Sequence, residues 1–109
     1  MEGGIVMSKI EECTHVELYE VAFSDIELIG SKFILCLYLT NIAQNTVVKR
    51  VSISASNISK LMKVSDVKSI GELNRKTIRC LINPHREINY ISFIEDNWII
   101  CKDIYIPRR

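Results

Sequence analysis

The feature that most constrains the fold is the apolar segment Lys32–Gln44, whose centre, Phe33 to Leu39, is the longest unbroken apolar run in the chain. It is far too short to cross a bilayer, which takes about 20 residues. It is also long for an ordinary strand and contains no turn signal. Gly30 and Ser31 precede it, and serine is a preferred helix N-cap. The segment therefore reads as a buried helix that turns Phe33, Ile34, Leu37, Tyr38 and Ala43 toward a core and ends at Asn41–Asn45. A chain of 109 residues, 48% hydrophobic with 4 Gly and 2 Pro, can enclose such a helix in one domain without disulfides. Residues 8–109 are assigned to that domain and residues 1–7 to a loose leader.

The remaining elements follow from periodicity. Residues 15–23 can alternate as a strand, while Thr14 with Glu17 can also cap a short helix; a strand over 16–22 is the preferred reading, and Val47–Ile53 is β-branched and extended. Ser54 or Ser56 caps a helix running to Val64, in which Ile58, Leu61 and Met62 form one apolar stripe. Ser69-Ile70-Gly71-Glu72 matches a capping box, and Ile70, Leu73, Thr77, Cys80 and Leu81 recur behind it at helical spacing, which predicts a helix over 69–83. Asn83-Pro84 ends it. Ile88–Ile94 and Trp98–Ile106, separated by Glu95-Asp96-Asn97, read as a β-hairpin. The expected fold class is α+β: a winged helix–turn–helix, with a three-helix core, a C-terminal hairpin wing and an N-terminal strand.

Charge adds a functional expectation. Residues 1–48 hold two lysines against seven carboxylates, whereas residues 49–109 hold twelve Lys and Arg against six carboxylates. A basic half suits an anionic partner such as a phosphate backbone. On a helix over 69–83, Arg75, Lys76, Arg79 and Asn83 share one sector with Glu72, opposite the apolar side. Such a face can reach base edges and phosphates in a major groove. Ser69 would lend first-turn amides to a phosphate, and Lys60 and Lys63 on the preceding helix would straddle the backbone. These seven residues are the expected contacts to double-stranded DNA.

The order and several short stretches resemble the winged-helix output domains of OmpR/ToxR-type bacterial transcription regulators. Ile26–Ile29 followed by Gly30-Ser31-Lys32-Phe33-Ile34-Leu35 resembles their strand-to-helix entry. Thr46-Val47-Val48-Lys49-Arg50 resembles the stretch before the second helix, and Ile78-Arg79-Cys80-Leu81 the end of the recognition helix. Tyr90-Ile91-Ser92-Phe93 with Trp98-Ile99-Ile100 resembles the wing. The likeness spans Ile26–Ile106 and implies a sequence-specific transcriptional regulator. Two departures stand out: Ile82 follows Leu81 where those domains carry arginine, and the wing tip is acidic.

The rival reading is a winged-helix adaptor or regulator that binds protein and not DNA. A homodimer is expected, with Val16, Leu18, Tyr19 and Phe23 of residues 8–23 as the dimer segment. No catalytic set, metal site or cofactor motif is expected: Cys13 and His15 lack a second ligand pair, and no phosphate loop or nucleophile motif occurs. Cys13, Cys36, Cys80 and Cys101 form no CxxC pair and suit reduced thiols in a cytoplasmic protein. Met1–Lys9 lacks a signal-peptide pattern, and no membrane partner is expected.

Overall fold

The computed structural model describes residues 15–93 and 97–104. Within them lie seven strands: β1 (His15–Ile29), β2 (Lys32–Asn41), β3 (Val48–Ser54), β4 (Thr77–Ile82), β5 (Ile88–Ser92), β6 (Ile99–Ile100) and β7 (Lys102–Ile104). A helix, α1 (Ala55–Ser65), and a 3-10 turn at Ile70–Leu73 connect β3 to β4. All strand pairs are antiparallel, in the order β6-β5-β4-β1-β2-β3-β7.

The two outer strands of that order are separated in sequence by Cys101 alone. Ile99 and Ile100 pair with Ile91 and Tyr90 of β5, while Lys102, Asp103 and Ile104 pair with Ser52, Val51 and Arg50 of β3. The Cys101 N–H donates to Asn89 O at 3.0 Å. The sheet thus closes on itself. It is a barrel of two three-stranded meanders, β1-β2-β3 and β4-β5 with β6/β7, joined through α1.

Alternation builds the interior, because successive strand side chains point to opposite faces. Tyr19 and Val21, Leu35, Leu37 and Leu39, Val51 and Ile53, Ile78, Cys80 and Ile82, Ile91, Ile99 and Cys101 are buried in one cluster. The helix α1 lays Leu61 into one end, with Ile58, Met62 and Val64 packed around it, and the 3-10 turn adds Leu73. Each such aliphatic side chain contributes roughly 1.5–3 kcal/mol when withdrawn from water. Asp66, left-handed at φ 57°, terminates α1, and the N–H groups of Asp66 and Val67 reach back to Lys63 O and Met62 O. Among the described residues, no helix is long and apolar enough to cross a membrane.

This architecture overturns the winged helix–turn–helix and with it the likeness to OmpR/ToxR-type output domains, which require three packed helices. Lys32–Gln44 is not a helix but β2 and the turn after it. Leu35, Leu37 and Leu39 point into the barrel, Cys36 on the other face is equally buried, and Ile34 and Tyr38 beside it are half-buried, so the outer face is apolar as well and the strand shows no alternation. The helix expected over 69–83 divides into the 3-10 turn and β4. Ile78, Cys80 and Ile82 face inward with period two, and the spacing of Ile70, Leu73, Cys80 and Leu81 matches a helix by coincidence. Ser69 does stand at the N-cap position of the 3-10 turn, but its side chain makes no cap bond, and Glu72 instead accepts from the Lys68 N–H at 2.8 Å. The segment expected as a wing closes the barrel. Strand 16–22, extended 47–53 and the helix to Val64 fall on β1, β3 and α1. The leader over residues 1–7, residues 8–14 of the dimer segment and Glu95-Asp96 of the wing tip lie outside the described residues.

Candidate functional site

The long strand β1 is flanked on both sides only over Tyr19–Val21, where β2 has joined it and β4 has not yet been left behind, and it has one strand neighbour along the rest. His15–Glu20 pair with β4, and the Val21 N–H donates to Lys76 O at 2.9 Å while Val21 O accepts from the Arg75 N–H. Between Val21 and Phe23 the register with β2 shifts at a bulge. A bulge bends and further twists its strand, and β1 here leaves β4 and continues to Ile29 against β2 alone. Ser24 is held by the 3-10 turn segment, its Oγ donating to Asn74 Oδ1 at 2.8 Å and lying 3.1 Å from Ile70 O.

The hairpin closes through Gly30 and Ser31, with Ile29 opposite Lys32. Gly30 takes φ 62°, the first-position glycine of a type II′ turn. In a two-residue hairpin the closing pair is hydrogen-bonded, and bonding then alternates back along the strand. Ile29 and Glu27 therefore turn their backbone groups to β2, and Ile26 and Leu28 turn theirs away from it. Nothing among the described residues pairs with the backbone of Ile26 or Leu28.

On one face of this end Leu28 is 61% exposed, Phe33 58% and Ile26 40%, and on the other Ile29 is 50% exposed. Leu28 and Phe33 sit directly opposite each other across the hairpin. On the opposite face Phe23, also exposed, lies 5.8 Å from the Tyr38 ring, and Arg50 stacks 5.5 Å above Tyr38 while its Nη2 meets Glu27 Oε1 at 3.3 Å. Burial pushes the neighbouring Cys36 thiol up, with the Arg50 guanidinium pulling the other way.

The opposite end of β1 carries a polar cluster on its inward face, with Val16 and Leu18 exposed on the other. Glu17 Oε2 lies 2.8 Å from His15 Nε2 and 3.7 Å from Arg86 Nη2. Its Oε1 accepts from Tyr19 Oη at 3.2 Å and Asn41 Nδ2 at 3.3 Å. The bond from His15, with Tyr19 and Arg86 adding to it, holds the Glu17 carboxyl below the usual range against the opposing effect of burial. Burial, with Glu17 nearby, pushes the Tyr19 phenol up to about 12. Asn83 shapes the β4–β5 turn that brings Arg86 over Glu17: its Oδ1 accepts from the His85 and Glu87 N–H groups, both at 2.9 Å. Lys49 Nζ donates to Arg86 O at 3.0 Å and lies 3.6 Å from Asp103. A cleft of about 380 Å³ opens beside this cluster. Glu17, Asn41 and Arg86 at its wall are bonded to one another or to their neighbours, so the cluster reads as a plug.

The seven residues expected to contact DNA are not on one face. Lys60 and Lys63 are exposed on α1, and Ser69 begins the 3-10 turn. Arg75 is exposed with a left-handed φ of 73°, and Lys76 follows it beside Val21. Arg79 is on β4, its guanidinium 5.8 Å from the centre of the Trp98 ring. Asn83 braces the β4–β5 turn. Of the expected dimer residues, Tyr19 is in the core, whereas Val16, Leu18 and Phe23 are exposed. Reading Lys32–Gln44 as a helix hides the hairpin end. Its signal was Gly30-Ser31 between Ile26-Glu27-Leu28-Ile29 and Phe33-Ile34-Leu35, a two-residue turn between strand-forming runs. Among the described residues, no three or more His, Cys, Asp or Glu are grouped to hold a metal ion. Comparison of the chain with protein-family models, curated proteins and solved structures finds no match.

Proposed function

We propose that this chain is a non-catalytic protein-binding domain that docks through the open end of the β1–β2 hairpin. The observation that carries the reading is the grouping of Ile26, Leu28 and Phe33, all exposed on one face of the hairpin, beside a strand edge that is unpaired among the described residues. Single exposed apolar residues are ordinary on protein surfaces, but contiguous ones mark contact surfaces. Duplex DNA is the competing partner. Its expected contacts are divided among α1, two turns and β4, and the 69–83 recognition helix that would have aligned them is not formed.

The test is a photo-crosslinking amino acid placed at Phe33, with Thr77 on β4 as control position, in cells that make the protein natively. A discrete protein adduct from position 33, absent from position 77 and abolished by Leu28→Asp, is the expected result. Equal labelling from both positions overturns the reading. So does duplex binding that falls steeply with salt and is lost when Arg75, Lys76 and Arg79 are all changed to Ala.

A further inference from the structure

We infer that the occupant of this hairpin is β1 of a second copy of the chain, paired antiparallel about a two-fold axis at Glu27, so that Ile26 of each copy faces Leu28 of the other. The inference rests on the docking reading above and names its partner.

An open strand edge selects an extended backbone, because its donors and acceptors are spaced for another strand. The chain itself offers such a strand, and antiparallel pairing of identical edges is self-complementary. Register follows from which backbone groups are free. Those of Ile26 and Leu28 point away from β2, while at Ser24 the 3-10 turn segment lies against the strand, held by the Ser24 hydroxyl, and Gly30 is in the turn. Setting Ile26 opposite Leu28 lets both residues of both copies exchange both their N–H and C=O bonds. A shift of two residues in either direction places one of the pairs against Ser24 or Gly30.

The side chains agree with that register. Ile26 and Leu28 share one face, so the two-fold brings two Ile–Leu pairs together, with Phe33 beside each Leu28. Withdrawing exposed apolar surface of this kind from water is the driving term. On the other face the axis sets Glu27 against its own copy, and like charges directly opposite oppose strand pairing. Each Glu27 is already matched by Arg50 at 3.3 Å within its own barrel, which removes the repulsion and gives that ion pair a purpose at the interface.

Sedimentation equilibrium of the full chain over a wide concentration range tests this. Wild type is expected to approach twice the chain mass. Leu28→Pro removes one free N–H per copy without touching the β1–β2 bonds, at an edge position that tolerates proline. It should raise the dissociation constant roughly tenfold or more. Arg50→Ala should weaken the dimer and Glu27→Gln added to it should restore association, a rescue that a merely structural role for Arg50 does not predict. Should Leu28→Pro fail to fold by circular dichroism, that rescue still decides the matter. So does hydrogen exchange of wild type, in which the amides of Ile26 and Leu28 must gain protection as concentration rises. A monomer at every concentration overturns the inference, as does a dimer indifferent to these changes. A monomer whose position 33 still crosslinks a different protein refutes self-pairing alone, while a monomer with no such adduct refutes the docking reading as well.

Discussion

The two halves of β1 form a contrast within one strand. From His15 to Val21 it runs along β4 and the residues just before it, with β2 joining on the other side from Tyr19, and its inward side chains end in a polar cluster in which Glu17 serves His15, Tyr19, Asn41 and Arg86 together. From Phe23 to Ile29 it keeps one neighbour among the described residues, and its apolar side chains Phe23, Ile26, Leu28 and Ile29 are exposed between Ser24, Asp25 and Glu27. The first half ties its inward polar groups together within the monomer, although Val16 and Leu18 face outward exposed. The second leaves its inward-face residues Ile26 and Leu28 without a core around them. Local sequence does not distinguish them well, since both alternate. What separates them is the bulge at Ala22, one extra residue that takes the strand off β4.

The largest expected effect lies on the paired half. Ile78, opposite Tyr19 and fully buried, should cost about 2–5 kcal/mol when truncated to Ala, read from the midpoint of urea unfolding. A loss under about 1 kcal/mol would mean that the paired half is no better packed than the open one.

Next is Glu17→Gln, expected to cost about 1 kcal/mol at neutral pH, since the carboxylate is partly exposed and its bonds are shared with solvent. Because the folded state holds this carboxyl below its ordinary range, its contribution is complete above that range and is lost as pH falls through the depressed value. Thermal melts of the Gln variant should therefore be flatter than wild type on the acid side. An unchanged acid slope would show that the plug does not act as a charge cluster.

Tyr19→Phe sharpens the contrast from the alkaline side, at a neutral-pH cost of about 0.5–1.5 kcal/mol for the lost hydrogen bond. The folded phenol is raised from 10.0 to about 12 by burial. Wild type should keep this contribution below pH 10 and lose it progressively as the pH rises toward 12. The Phe variant should lose less over that interval. Some slope should remain, because burial also pushes the Cys80 and Cys101 thiols up.

The smallest effect is expected at the open half. Leu28→Ala should change monomer stability by less than about 0.5 kcal/mol, measured at concentrations too low for association. A larger loss would mean that Leu28 supports the barrel itself.

Several parts of this fold were legible because local signals and tertiary packing agreed. The β-branched stretch of β3, the apolar stripe of Ile58, Leu61 and Met62 on α1 and the β5 run all carry their own periodicity. The two failures share a cause. Barrel closure buries side chains on both faces where outer layers form, so β2 and β4 show apolar residues at positions that a half-exposed strand would leave polar. Leu81 and Cys36 are outward-facing yet buried, and adding them to the inward set mimics helical spacing. The charged residues chosen for a recognition face were compatible only with that mistaken helix. In the barrel Asn83 serves a turn and Arg79 lies near an indole. The hairpin end could have been found from Gly30-Ser31, but the missing strand neighbour could not, because it depends on where β4 begins in space.

The closing segment Ile99–Ile104 has a consequence for how the chain reaches this state during synthesis. Everything from β1 to β5 can assemble into two meanders before that segment emerges, yet until then β3 and β5 each present an unsatisfied side. β6 satisfies β5 as a local hairpin, but β7 must return to residues near 50, and such a distant pairing forms late and slowly. A nascent or truncated chain lacking Ile99–Ile104 would therefore offer two additional sticky borders, making the final strand a guard against aggregation as much as a structural element.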